Sequence, residues 1–234
     1  MLGLRVQRIH RQPTLASQVR NALSEDIAAG ALAPGQRILI ERLAERLGVS
    51  PTPVREAIAC WVEDGLIRKS ADGKLQVVPL TREYVSDVFL VRRALESLAA
   101  ELAAIGLADA ELETLRSALD ETTSGLERGD IRPYVATDAL LHSMVAAAAG
   151  SPMLARELEV LQAHIAYVRG YAQRQAGDHM RLSHGEHERL FAALARRDPT
   201  AARAAMEQHI RQSGARIAQL TTFEGDRDQP FAGQ

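Results

Sequence analysis

Apolar residues recur every three to four positions along nearly the whole chain, and the pattern shortens in one place only. Glu41 to Leu47 sets Leu43, Ala44 and Leu47 on one side of a short helix. Gly48 follows, a residue that tolerates the left-handed backbone at a helix end, and Val49 fills the corner. Ser50 suits an N-cap, Pro51 the first helical position, and Pro53 the first turn, whose N–H groups have no intrahelical partner. The second helix then buries Val54, Ala57, Ile58, Trp61 and Val62, turns Thr52, Arg55 and Glu56 outward near its N-terminal end, and stops at Asp64-Gly65. Here the pattern shortens. Leu66 to Lys69 and Leu75 to Val78 read as two strands joined through Asp72-Gly73, with basic residues beside the tip. A helix, a turn, a second helix and a hairpin wing predict a DNA reader, with the N-terminal end of the second helix at base edges and phosphates.

From Thr81 onward the period is helical throughout. The first helix, to Ile105, carries Val85, Val88, Phe89, Arg92, Leu95, Leu98, Ala99 and Leu102, and Gly106 is expected to stop it. Asp109 to Glu127, Ile131 to Ala149 and Met153 to Tyr171 follow, then Ser183 to Arg197 and Thr200 to Leu220, divided by Asp198-Pro199. The expected fold is mainly α: a winged helix-turn-helix over 1–79, an antiparallel bundle of six or seven helices over 80–222, and a disordered tail over 223–234.

Composition fits two packed cores, with 46% of the 234 residues hydrophobic. Up to Leu80 there are 11 Lys+Arg against 8 Asp+Glu, and beyond it 17 against 22, a basic head on an acidic body. Only Lys69 and Lys74 of the 28 basic residues are lysine, so the general preference for arginine weakens any inference from one arginine. A single cysteine, Cys60, points to a reducing cytoplasm, and the N-terminus lacks an apolar core of signal-peptide length. The longest uncharged run, Ala139 to Ala155, holds His142, Gly150 and Pro152 and is no membrane span.

Four polar residues interrupt the apolar stripes of the bundle. Asp138 and His142 are one turn apart on the same helix face. His187 lies in line with Leu190, Phe191 and Leu194, and His209 with Ala202, Ala205 and Met206. One histidine on an apolar face is usually a satisfied core residue. Three with a carboxylate, on the inward faces of different helices, are a ligand set for a divalent transition metal. His184 sits off the Leu190/Leu194 stripe, His164 and His179 read as surface or capping residues, and His10 lies in the head. Arg92, between Phe89 and Leu95, either clamps a carboxylate in a cavity or pairs with Glu96 one turn on.

The N-terminal run resembles the GntR-type winged-helix regulators. The residues that carry it are Gly30-Ala31-Leu32-Ala33-Pro34-Gly35, Leu43 to Ser50, and Thr52-Pro53-Val54-Arg55-Glu56-Ala57-Ile58. Pro51 stands where the family usually has arginine, and Glu41 where relatives often offer a base-contacting arginine, with Arg42 one step on. The second half is similar to the FCD effector domain of the FadR subfamily, through Val91 to Glu96, Asp138 to His142, Glu186 to Leu190 and Ala202 to Ile210. The resemblance implies a cytoplasmic homodimer that binds a palindromic DNA operator through Arg42, Ser50, Thr52, Arg55 and Lys74. It implies zinc or nickel on Asp138, His142, His187 and His209, with a small carboxylate metabolite beside it near Arg92, and a repressor released by that metabolite. Two other readings use the same ligands: a metal-dependent hydrolase, and a sensor of the metal itself. The hydrolase lacks a general base, because Glu186 is expected to point aside and Glu207 lies opposite His209.

Overall fold

A computed structural model describes residues 14–28, 31–172 and 178–220. The chain divides into two compact units, Met1–Val78 and Pro79–Gln234. His10 and the tail over 223–234 lie outside the described residues.

The first unit opens with α1 (Leu15–Ala28), a helix the sequence reading did not anticipate. Val19, Leu23 and Ile27 recur every four residues on its buried side, and it packs on α3. The expected helices are α2 (Ile40–Leu47) and α3 (Pro51–Glu63). Between them Gly48 takes φ 65°, and its N–H reaches back to the carbonyls of Ala44 and Glu45. Ser50 occupies the N-cap of α3, but its side chain makes no capping hydrogen bond; Pro53 removes one of the two N–H groups, N2 and N3, that such a cap could serve. Trp61, Val54, Ala57 and Ile58 form the buried face of α3, while Val62 is half-buried.

The wing has three strands where two were expected. Strands β2 (Ile67–Lys69) and β3 (Leu75–Val77) form the hairpin, and β1 (Arg37–Ile38) adds to the free edge of β3, all antiparallel. A two-residue strand carries too little alternation to be read from its own sequence.

The second unit contains six helices among the described residues: α4 (Arg82–Gly106), α5 (Asp109–Glu127), α6 (Arg132–Ala148), α7 (Pro152–Ala172), α8 (Asp178–Ala195) and α9 (Pro199–Leu220). Thr81 caps α4, its Oγ1 accepting from Tyr84 N–H at 3.1 Å. The core lies along α4, which packs most extensively on α9 and also meets α6, α7 and α8. Gly106 is the last residue of α4, for a reason other than the expected one. Its backbone is not left-handed; instead a Cβ there would stand 2.0 Å from the Ala148 carbonyl oxygen, so only glycine lets the ends of α4 and α6 touch. Helix α8 starts five residues before the expected Ser183. No helix among the described residues is long and apolar enough to cross a membrane.

Candidate metal centre and DNA-reading face

Asp138 and His142 lie one turn apart on α6, His187 on α8 and His209 on α9, and all four are buried. One ligand atom from each falls into a cluster in which these atoms all lie within 4.8 Å of one another. The inward stripes of three helices bring them there, as the sequence pattern required.

Carboxylates behind the rings set their orientation. His209 Nδ1 donates to Glu186 Oε2 at 2.8 Å, which leaves Nε2 with its lone pair, buried and without a hydrogen-bond partner. Glu186 is in turn held by both terminal nitrogens of Arg216, at 2.6 and 2.7 Å. His142 Nδ1 abuts Glu96 Oε2, off the line of a hydrogen bond, and its Nε2 accepts from Arg92 Nη2 at 3.2 Å. His187 stacks on the Tyr134 ring, 6.0 Å between centroids and 8° between planes. Neither of its nitrogens has a hydrogen-bond partner, and Nε2 lies 3.5 Å from Asp138 Oδ1. Asp138 is paired through both oxygens with Arg169 of α7.

Charge at the cluster follows from burial and these pairings. Burial holds the His187 and His209 imidazoles well below the ordinary histidine range, with neighbouring rings adding to it, so both are neutral bases. Burial pushes the Asp138 carboxyl up, but the guanidiniums, Arg169 foremost and Arg92 with it, outweigh this and keep the group ionised. Glu96 is likewise depressed, burial being overcome by Arg92 and His142. The result is a buried carboxylate facing three imidazoles, each with a nitrogen that has no hydrogen-bond partner. A buried nitrogen without a partner destabilises the fold by about 1–3 kcal/mol, and a borderline-soft divalent cation is the group this donor set satisfies. The residues fit a divalent transition metal.

In the first unit the residues expected at DNA face outward from α2, α3 and the wing. Arg42, Ser50, Thr52, Arg55 and Lys74 are all exposed. Arg55 Nη2 donates to Glu41 Oε1 at 3.3 Å, and Lys74 pairs with Asp72 at the hairpin tip. The pairing register places Arg37, Gln76 and Arg68 side by side across the three strands, all exposed. With Lys69 and Lys74 these residues line a cleft of about 540 Å³ on the wing.

Residues 15–73 match the family described as "Bacterial regulatory proteins, gntR family", and residues 87–212 match the FCD domain. The chain belongs to the GntR family and carries an FCD domain. Over 148 residues this GntR protein is 29% identical to the transcriptional regulator McbR of Escherichia coli K12, covering 63% of this chain and 67% of McbR. It is 26% identical over 212 residues to the transcriptional repressor RspR of the same organism, covering 89% of this chain and 91% of RspR. The solved structure of E. coli McbR/YncC superposes with a TM-score of 0.78 at 26% identity, over 89% of this chain and 99% of that one. The family and both relatives are transcriptional regulators and not enzymes.

Several residues of the GntR protein's cluster escaped the sequence reading. Glu186, expected to point aside, is buried against His209, because residue 186 of α8 faces α9. Its engagement by His209 and Arg216 leaves it no freedom to act as a base. Glu207 is exposed, as expected. Arg169 and Tyr134 had no signal, since an arginine or tyrosine on a half-apolar helix reads as periphery. His184 bonds Thr123 Oγ1 at 2.8 Å, outside the cluster. His164, read as a surface or capping residue, is half-buried and bonds the Tyr84 hydroxyl at 2.6 Å. Arg92 realises the Glu96 pair, Nε to Oε1 at 2.6 Å, while its buried Nη1 has no partner.

The depressed histidines set a pH dependence for chelator-treated protein. Folded, His187 and His209 resist protonation; unfolded, they bind protons below the ordinary value of 6.5. The unfolded chain therefore holds more protons at acid pH, so stability is full above about 6.5 and falls as pH drops below it, by up to about 1.4 kcal/mol per pH unit for each ring. Urea unfolding between pH 7.5 and 5.5 should show this loss, and a double variant His187→Gln/His209→Gln should flatten it.

Proposed function

We propose that this GntR protein is a homodimeric, cytoplasmic repressor that leaves a palindromic operator when a small carboxylate binds beside a zinc or nickel ion in its FCD domain. The observation that carries the reading is the buried constellation of Asp138, His142, His187 and His209 with Arg92 at its edge. A bound divalent ion supplies Lewis-acid charge that attracts a carboxylate oxygen. The Arg92 guanidinium, fixed by Glu96 through Nε, presents a buried Nη1 donor without a partner for a second carboxylate oxygen. A compact, charged ligand suits such a site better than a long acyl chain. The name of RspR supports the repressor reading. The exposed apolar stripe Val91, Leu98, Leu102 and Ile105 on α4, spaced near 3.5 residues, supports association of two bundles.

In the head, Arg55 with Thr52 and Ser50 would meet base edges and phosphates, with Arg42 and Lys74 on the flanks. The operator half-sites would lie about one helical turn, ~34 Å, apart. Arg55→Ala is expected to weaken operator binding by roughly 1–3 kcal/mol, and Glu41→Gln, which frees Arg55 from its exposed partner, to strengthen it by up to about 1 kcal/mol. Gel shifts on the intergenic DNA beside the gene read both. Wild-type affinity in the Arg55 variant would remove it from the reading face. The repressor reading itself is tested by titrating operator with and without the carboxylic acid that most raises Tm in a screen. An acid that stabilises the protein and leaves operator affinity unmoved overturns it.

A further inference from the structure

Helices α8 and α9 border a second cleft, of about 480 Å³, on the side of Glu186 away from the histidine cluster. Arg181 and Arg189 line it from α8, Arg216 and Gln212 from α9, and Glu186 is its one carboxylate. Several of the bundle's other arginines are paired with carboxylates: Arg116 with Glu188 and Asp120, Arg197 with Asp109, Arg203 with Glu101. Arg181 donates only to the Leu126 carbonyl, and Arg189 has no carboxylate partner among the described residues. Three guanidiniums thus share one carboxylate, an excess of two positive charges.

Gly185 sits between Arg181 and Arg189, one turn from each on the same face of α8. Glycine inside a helix destabilises it relative to alanine. Packing does not require one here, since a Cβ at 185 would meet a single atom, Arg189 Nη1, at an ordinary 3.9 Å. What the missing side chain does is leave the floor of the cleft open between two arginines.

We propose that this cleft binds a compact dianion, a phosphate or dicarboxylate group gripped by Arg181, Arg189 and the outer edge of Arg216, and that its occupancy tunes the metal centre. The fork geometry of guanidinium matches both anion types. The link runs through Arg216, Glu186 and His209. An anion that draws Arg216 outward weakens its hold on Glu186, leaves more carboxylate charge on the His209 Nδ1–H, and makes Nε2 a better donor. Anion and metal therefore bind with positive cooperativity, and the coupling is reciprocal. This second clause rests on the metal reading above; the cleft does not.

The test uses full-length protein, as purified and after chelation and dialysis, with sodium phosphate and sodium malonate against chloride at matched ionic strength. Each tenfold rise in the binding anion above its Kd should lift Tm by about 3–5 °C. Arg181→Ala/Arg189→Ala and Gly185→Glu, which puts a carboxylate on the floor, should each abolish the shift. Which of the two anions gives the lost shift identifies the ligand chemistry. Excluded salts also stabilise proteins, but without regard to the cleft, so a shift that survives both variants, or none in the wild type, overturns the site. In a chelator competition the anion should lower the zinc Kd by about 5-fold or more, and the arginine variant should erase that change. A cleft that binds the anion while zinc affinity stays put overturns the coupling alone, and failure to bind zinc at all overturns the metal reading while the chelated arm still reports on the cleft.

Discussion

His209→Ala is expected to strip the FCD domain of its metal. The wild-type protein should carry close to one transition metal per chain by elemental analysis, and His142→Ala and His187→Ala should lose it likewise, because each removes a buried nitrogen donor from the cluster. Glu186→Gln keeps the ring but weakens the carboxylate behind it, and should loosen the metal by about 10–100-fold. His184→Ala, whose ring is bonded to Thr123, should leave metal content at the wild-type level. Chelation should lower the wild-type Tm and leave that of His209→Ala unmoved. Equal metal in all of these variants would mean adventitious binding, and the site would fall with it.

Arg92→Ala carries the second large effect, and it acts on two properties at once. The guanidinium is 1% exposed and neutralises Glu96, which is itself buried. Removing one member of a buried pair leaves the other charge uncompensated, so a loss of about 3–5 kcal/mol in unfolding free energy is expected. In the double variant Arg92→Ala/Glu96→Ala much of that loss should return, since no orphan charge remains. Effector affinity should fall in both, because both lack the Nη1 donor. Operator affinity without effector, measured well below the lowered Tm, should be preserved. A double variant as unstable as the single one would show that packing around the guanidinium, and not the charge of Glu96, accounts for the cost.

The four clustered residues were legible because each broke an apolar stripe of its helix, and the inward direction of those stripes is what a bundle must bury. The helix-turn-helix was legible from Gly48 and the two prolines. Glu96, Glu186, Arg169 and Tyr134 were harder, since their place depends on which residue of a neighbouring helix they meet, and a period gives the face of one helix without its register against the next. The pair of Glu96 with Arg92 was one of two readings that i, i+4 spacing, which is local, left open; its second neighbour, His142, comes from another helix. Strand β1, two residues long, is too short to show a period, and α1 shows its buried side only through the sparse repeat Val19, Leu23 and Ile27.

Arg169 bears on how a divalent ion could enter the cluster. Its guanidinium occupies both oxygens of Asp138, so the one ligand that carries a charge is already compensated by a resident cation from α7. A small zinc domain collapses when emptied because nothing else answers the charge of its ligands. Here the bundle has its own substitute, and an arriving divalent ion must displace an arginine before it gains the aspartate. On the proposed reading, a weakly held ion would lose that competition and a tightly held one would win it, and a winning ion would free the guanidinium of Arg169 on α7 from α6.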